Sequence, residues 1–231
     1  MFICRFANLL ACFAHVELIH LRALMFTSTA KALQHTMLVI SLIGISSAVA
    51  KQQTIQAALP ALPAAQQTFF NHLSSLCGQA FAGKVTVDTP KSDGFDDTLI
   101  MHISDCSESV IRIPFHVGED RSRTWVLSNV GGNLMLKHDH RHADGSEDAL
   151  TQYGGVATTV GWPSVQSFPA DTFTQTMFVE QHIPQSNDNT WQMLIDEKTF
   201  SYRLVRPARE FRVDFDLSKP QPTPPPAWGS Q

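Results

Sequence analysis

From Ala64 the apolar positions Phe69, Phe70, Leu73, Leu76 and Cys77 recur at helical spacing and stop at Gly78. This predicts one short helix. Beyond Gly83 the period changes to two, in short runs rich in Val, Ile, Thr, Phe and Trp that are broken by Gly, Asn, Asp and Pro. These runs predict strands near 83–88, 98–105, 109–117, 123–129, 133–141, 149–160, 173–181, 190–196, 199–206 and 209–217. Most connections are short, as expected for antiparallel neighbours that follow one another in the chain. An open sheet of that size leaves two edges unpaired, and closure removes them. The expected fold is therefore all-β, an antiparallel meander closing into a barrel of about 8–10 strands with a short N-terminal helix. Pro163 and Pro169 make 161–172 a loop, a bulge or an edge crossing, and the proline-rich tail 218–231 reads as extended chain that cannot pair as a strand.

The first fifty residues read differently. They carry only Arg5, Glu17, Arg22 and Lys31 as charges, and the apolar run Met37–Ile45 leads into Ser-Ser-Ala48-Val-Ala50. Small residues at 48 and 50 form the pattern that a signal peptidase accepts, so 1–50 is expected to be a signal peptide and the protein periplasmic or secreted. The uncharged stretch from Thr36 to Ala50 is shorter than the ~20 residues a membrane-spanning helix needs, so no stable membrane span is expected after cleavage. A signal of ordinary length would begin at Met25, which makes 1–24 a candidate over-extended start. Residues 51–63, with Pro60 and Pro63, read as a linker to a barrel domain at 64–217.

Residues 51–231 hold 14 basic and 20 acidic side chains, a formal charge of −6. That sign opposes general nucleic-acid binding, which needs clustered Lys and Arg against phosphate. Removing 1–50 also removes Cys4 and Cys12, leaving Cys77 and Cys106 as an even pair in an oxidising compartment. A disulfide is expected, with two separate buried thiols as the alternative.

The segment "NLMLKHDHRHADGSED" at 133–148 carries the candidate chemistry. Strand alternation puts Leu134, Leu136, His138, His140 and, by extension, His142 on one face, and Met135, Lys137, Asp139 and Arg141 on the other. Pairing Leu127 with Leu136 across the Gly131-Gly132 turn sets Trp125 opposite His138 and Arg123 opposite His140. Aligning Ile113 with Leu127 then sets Phe115 beside Trp125 and Val117 beside Arg123, with Arg112 and His116 pointing outward. Tyr153 joins the same face from the next strand. The result is an apolar interior with Arg123, Trp125, His138, His140, Phe115 and Tyr153 near one open end, the usual composition of a small-molecule site. Imidazoles that titrate near 6.5 would draw an anionic ligand more strongly at acid pH.

Three other readings stand beside it. His138, His140 and His142 have ligand types suited to zinc, although three positions on one strand span about 13 Å at ~3.3 Å per residue. A metal-assisted or histidine-based hydrolase would follow from that arrangement. Histidines at a strand end can also simply bond neighbouring backbone and carboxylates. The proline-rich tail offers a third role, docking to a protein partner in the cell envelope, with the barrel as scaffold.

The segments "IRIPFHVGEDRSRTWVL", "LKHDHRHADGSEDALTQYGG" and "FRVDFDL" resemble a group of secreted bacterial proteins with no assigned activity, over roughly 77–228. That resemblance implies a shared fold. The helix, then Gly78-Gln-Ala-Phe81, then a meander ending in the arginine-bearing strand 209–217, is similar to the lipocalin and calycin layout. It departs from that layout in lacking the tryptophan of the Gly-x-Trp motif. The expected function is non-catalytic binding of a small, partly apolar ligand inside the barrel.

Overall fold

The structure is a computed structural model that describes residues 59–230. The signal-peptide reading of 1–50 and the start of the linker lie outside the described residues. Helix α1, Ala64–Ser74, is followed by β1 (Ala80–Thr89), β2 (Leu99–His102), β3 (Asp105–Cys106), β4 (Val110–Val117), β5 (Asp120–Val130) and β6 (Asn133–His140). The chain continues through β7 (Tyr153–Val156), β8 (Val165–Pro169), α2 (Thr172–Glu180), a 3-10 turn at Pro184–Asp188, β9 (Thr190–Ile195), β10 (Thr199–Arg206) and β11 (Arg209–Gln221). The strands form a nearly closed antiparallel barrel in the order β7-β6-β5-β4-β2-β1-β11-β10-β9-β8, with β3 paired to β4 outside that path. No helix among the described residues is long and apolar enough to cross a membrane.

Alternation fills the barrel. Ile111, Ile113, Leu127, Leu134, Leu136, Met193, Phe200, Val213 and Phe215 are fully buried, each taken from the inward positions of its strand. Helix α1 buries Gln66, Phe69, Phe70 and Leu73, one stripe at helical spacing. The Gln66 amide accepts from Leu134 N–H at 2.8 Å and donates to Thr159 C=O at 3.1 Å, so the helix stoppers the end where β6 begins. The Cys77–Cys106 disulfide ties the segment after α1 to β3 across 29 positions. Closing a loop of that length stabilises a fold by roughly 3–4 kcal/mol through the entropy of the unfolded chain.

The two end strands, β7 and β8, share no ladder. Gly154 C=O instead accepts from Asp171 N–H at 2.9 Å and from Thr174 Oγ1 at 2.8 Å, and its N–H donates back to that hydroxyl at 2.8 Å. This close approach requires glycine. A Cβ on Gly155 would lie 1.9 Å from the Pro169 carbonyl oxygen, and one on Gly154, whose φ is +146°, would lie 2.0 Å from that of Leu136.

Four expectations are corrected. Residues 173–181 form the helix α2, not a strand: Asp171 caps it by accepting from Thr174 N–H, and Thr174, Met177 and Phe178 are buried at helical spacing. The strand expected at 149–160 shrinks to Tyr153–Val156, and the loop, bulge or edge crossing expected at 161–172 holds β8, an end strand of the sheet. The β4–β5 ladder runs Ile111↔Leu127, Ile113↔Trp125 and Phe115↔Arg123, two residues from the expected alignment, because a two-residue turn joins Val117 to Asp120 and a bulge sets Phe115–Val117 against the longer run Asp120–Arg123. His116 shares the outer-face register with Ile100, as expected, but is only 3% exposed.

The tail is the fourth. β11 continues through Pro220 to Gln221 and pairs with β1 as Phe81↔Pro220 and Ala80↔Gln221. Proline is tolerated there because β10 leaves the ladder at Asp216, so β11 has a partner on one side only and the missing N–H breaks no bond. The chain then returns to the opposite end, where Arg121 Nη1 donates to Pro226 C=O at 3.1 Å and Trp228 N–H to Arg121 C=O at 3.0 Å.

Gly155→Ala is expected to force the seam apart and lower stability by about 1–3 kcal/mol, the usual cost of overpacking. Urea unfolding measures this; a variant as stable as the parent would mean that the end strands do not meet as described.

Candidate functional site

The end of the barrel opposite α1 holds a cavity of about 280 Å³. All six residues expected to line a ligand site, Phe115, Arg123, Trp125, His138, His140 and Tyr153, border it. Strand pairing brings them there: β5 and β6 align as Trp125↔His138 and Arg123↔His140, and β7 adds Tyr153 opposite His138. The far wall comes from β9, β10 and β11 through Trp191, Tyr202, Leu204, Arg209 and Phe211. Phe178 of α2 and Ile183, Ser186 and Asn189 of the following turn cover the seam side, and Phe95 of the β1–β2 loop sits at the mouth.

The rings are ordered. Phe95, Phe115, Trp125 and Tyr202 succeed one another nearly parallel, with interplanar angles of 16°, 15° and 14°. Across from them His138 stacks on Tyr153 at 4.4 Å between centroids. Aromatic pairs at these separations contribute about 0.5–1.5 kcal/mol each beyond area burial.

His138 is 2% exposed and both of its ring nitrogens are bonded. Nδ1 lies 3.0 Å from the Tyr153 carbonyl, which only accepts, so Nδ1 carries the proton. Nε2 is then the acceptor, and the Tyr202 hydroxyl donates to it at 2.7 Å. Burial, then the neighbouring His140, pushes the His138 pKa down to about 3. His140, within 3.1 Å of the Tyr153 hydroxyl through Nε2, is lowered to about 4 by burial and then by Arg123. Burial also raises both tyrosine hydroxyls above their ordinary value.

The two cations at the cavity are paired. Arg123 bonds Asp120 and lies over the Phe95 ring at 5.7 Å. Burial alone would raise the Asp120 pKa, but hydrogen bonds from Ser122 and Arg123 hold the carboxyl below its usual range. Arg209 meets Asp88 at 2.6 Å, with both side chains 12% exposed, and also donates to Pro90 C=O at 2.8 Å and Ser92 Oγ at 3.2 Å. Asn189 stands apart: it is 6% exposed, and its Oδ1 is closed to solvent and accepts no hydrogen bond. A buried acceptor left in that condition costs about 1–3 kcal/mol.

These contacts correct two expectations. Burial holds the pKa of His138 and of His140 well below the ordinary imidazole value, which opposes the expected gain of an anion donor near 6.5. The zinc reading fails on geometry: His138 has both nitrogens committed inside, while His142 is 57% exposed at the rim, its Nε2 4.0 Å from Asp148. Among the described residues no three histidine, cysteine or carboxylate side chains are placed to hold one metal ion. The site residues on β9 to β11 were visible in principle, since Trp191, Tyr202 and Phe211 occupy the inward positions of alternating strands. Phe95 and Asn189 carry no such periodic signal.

No family model, curated protein or solved structure matches the chain.

Unfolded histidines bind their proton near 6.5, whereas His140 and His138 do so only near 4 and 3, so the unfolded state holds more protons between those values. Stability is therefore present above pH 6.5 and is lost as pH falls toward 4, on the order of 3 kcal/mol per histidine by pH 4. Urea unfolding at pH 4.5 to 7 measures the slope. His138→Gln and His140→Gln should each reduce it by close to one proton; slopes equal to the parent's would contradict the assigned neutral state.

Proposed function

We propose that the chain is an exported, non-catalytic binding protein that takes a small, partly apolar ligand into the open end of the barrel. The observation that carries the reading is the aromatic cavity itself, about 280 Å³ with polar groups confined to a few positions, close to the lower bound of small-molecule sites. A tightly packed protein core leaves few voids larger than a water molecule, so a space of this size needs an occupant or a reason. The signal-like N-terminus and the Cys77–Cys106 bridge support export.

Histidine-based hydrolysis has less support. His138 has no free nitrogen, and a base that holds its proton only near 4, as His140 does, is weak at neutral pH. Docking through the tail has less support too, since Pro226 and Trp228 are bonded to the chain's own Arg121.

Trp125 and Trp191 border the cavity, whereas Trp162 is 73% exposed, so a ligand in the barrel should change part of the tryptophan emission. Titration with the neutral dye N-phenyl-1-naphthylamine is expected to give one saturable site with energy transfer from tryptophan. Leu150→Trp, which fills the mouth, should remove it. Dye binding that ignores this substitution, or no binding at all, would refute the reading.

A further inference from the structure

Resting on the binding reading above, we propose that the cavity selects uncharged aromatic molecules bearing one hydrogen-bonding group, which meets the side-chain amide of Asn189. Three features of the site lead there.

The first is charge. Arg123 is paired with Asp120 and Arg209 with Asp88, and Arg209 has further acceptors in the Pro90 carbonyl and the Ser92 hydroxyl. A carboxylate or sulfonate entering the barrel would shed its hydration and find no uncompensated cation. An ammonium would meet the same closed pairs.

The second is shape. The parallel series ending in Trp125 and Tyr202 forms one wall, and the stacked His138–Tyr153 pair forms another. Flat rings offer such walls large contact at little conformational cost.

The third is polarity. His138 has no vacant nitrogen and the Tyr202 hydroxyl proton is engaged with it. Asn189 is the buried cavity residue whose amide oxygen lacks a partner. The terminal torsion of asparagine is a broad two-fold well, so rotation turns either amide atom toward the cavity. A ligand hydroxyl or N–H at that place gives the rotated amide oxygen a donor, whereas a pure hydrocarbon offers none. The inference thus names phenol- or indole-like molecules as the chemical class.

Three matched probes test it on the full-length mature protein: 2-naphthol, naphthalene and 2-naphthoate at pH 7, with affinity read by calorimetry or tryptophan emission. Naphthol is expected to bind about tenfold more tightly than naphthalene, the effect of one buried hydrogen bond. It should also bind at least tenfold more tightly than naphthoate. In Asn189→Leu the naphthol preference should vanish while naphthalene still binds, which also shows that the variant is folded. Equal or tighter binding of naphthoate overturns the charge argument, and a naphthol preference that survives Asn189→Leu overturns the assigned contact; in both cases the binding reading stands. If none of the three binds the parent protein, the binding reading itself fails and takes this inference with it.

Discussion

One buried imidazole holds the open half of this barrel together. His138 on β6 reaches Tyr153 of β7 through Nδ1 and Tyr202 of β10 through Nε2. In sheet order β6 and β10 are far apart, since the ladder between them runs through β5, β4, β2, β1 and β11. The bridge therefore crosses the interior between strands on either side of the incomplete seam. Hydrogen bonds in such surroundings are strong electrostatically, and an unpaired buried nitrogen would be costly. In the neutral ring the Tyr202 hydroxyl donates to Nε2, whereas an imidazolium would have to reverse that bond and donate to the hydroxyl oxygen as a buried charge.

The cavity follows from that constraint. Tyr153 and Tyr202 are oriented by the imidazole, and Trp125 stacks on Tyr202 at 4.4 Å between centroids. The packed rings line a space in place of filling it. Polar side chains nearby are closed in pairs, Arg123 with Asp120 and Arg209 with Asp88, so the interior is close to electrically neutral despite its histidines and arginines. The ends differ in the same terms. Gln66 and the aromatic stripe of α1 seal one, whereas the other has only loops and the Phe95 ring.

Much of this was legible in the chain. A period of two in nine of the ten expected runs, and the match of Leu127 with Leu136, placed Trp125 against His138 and Arg123 against His140 as the ladder has them. The fold class followed from the same alternation. The β4–β5 register was two residues off because a bulge is invisible to periodicity, although a shift of two keeps each side chain on its face. The helix at 172–180 was hidden by its Phe, Thr and Val content, which favours strands in isolation; the Asp171 cap and the Thr174–Gly154 bonds decide it through tertiary contacts. Proton affinities are not legible in the chain for a related reason. A histidine's ordinary value near 6.5 belongs to water, and the depth of burial that lowers it is a property of the closed barrel.

The central claim is that burial in the barrel interior holds His138 as a neutral ring with its proton on Nδ1. Nitrogen-15 NMR of the imidazole side chains between pH 5 and 8 observes this directly. The account predicts a single Nδ1–H tautomer for His138 with shifts that do not move across the range. A midpoint near 6.5, or a proton resident on Nε2, would contradict it.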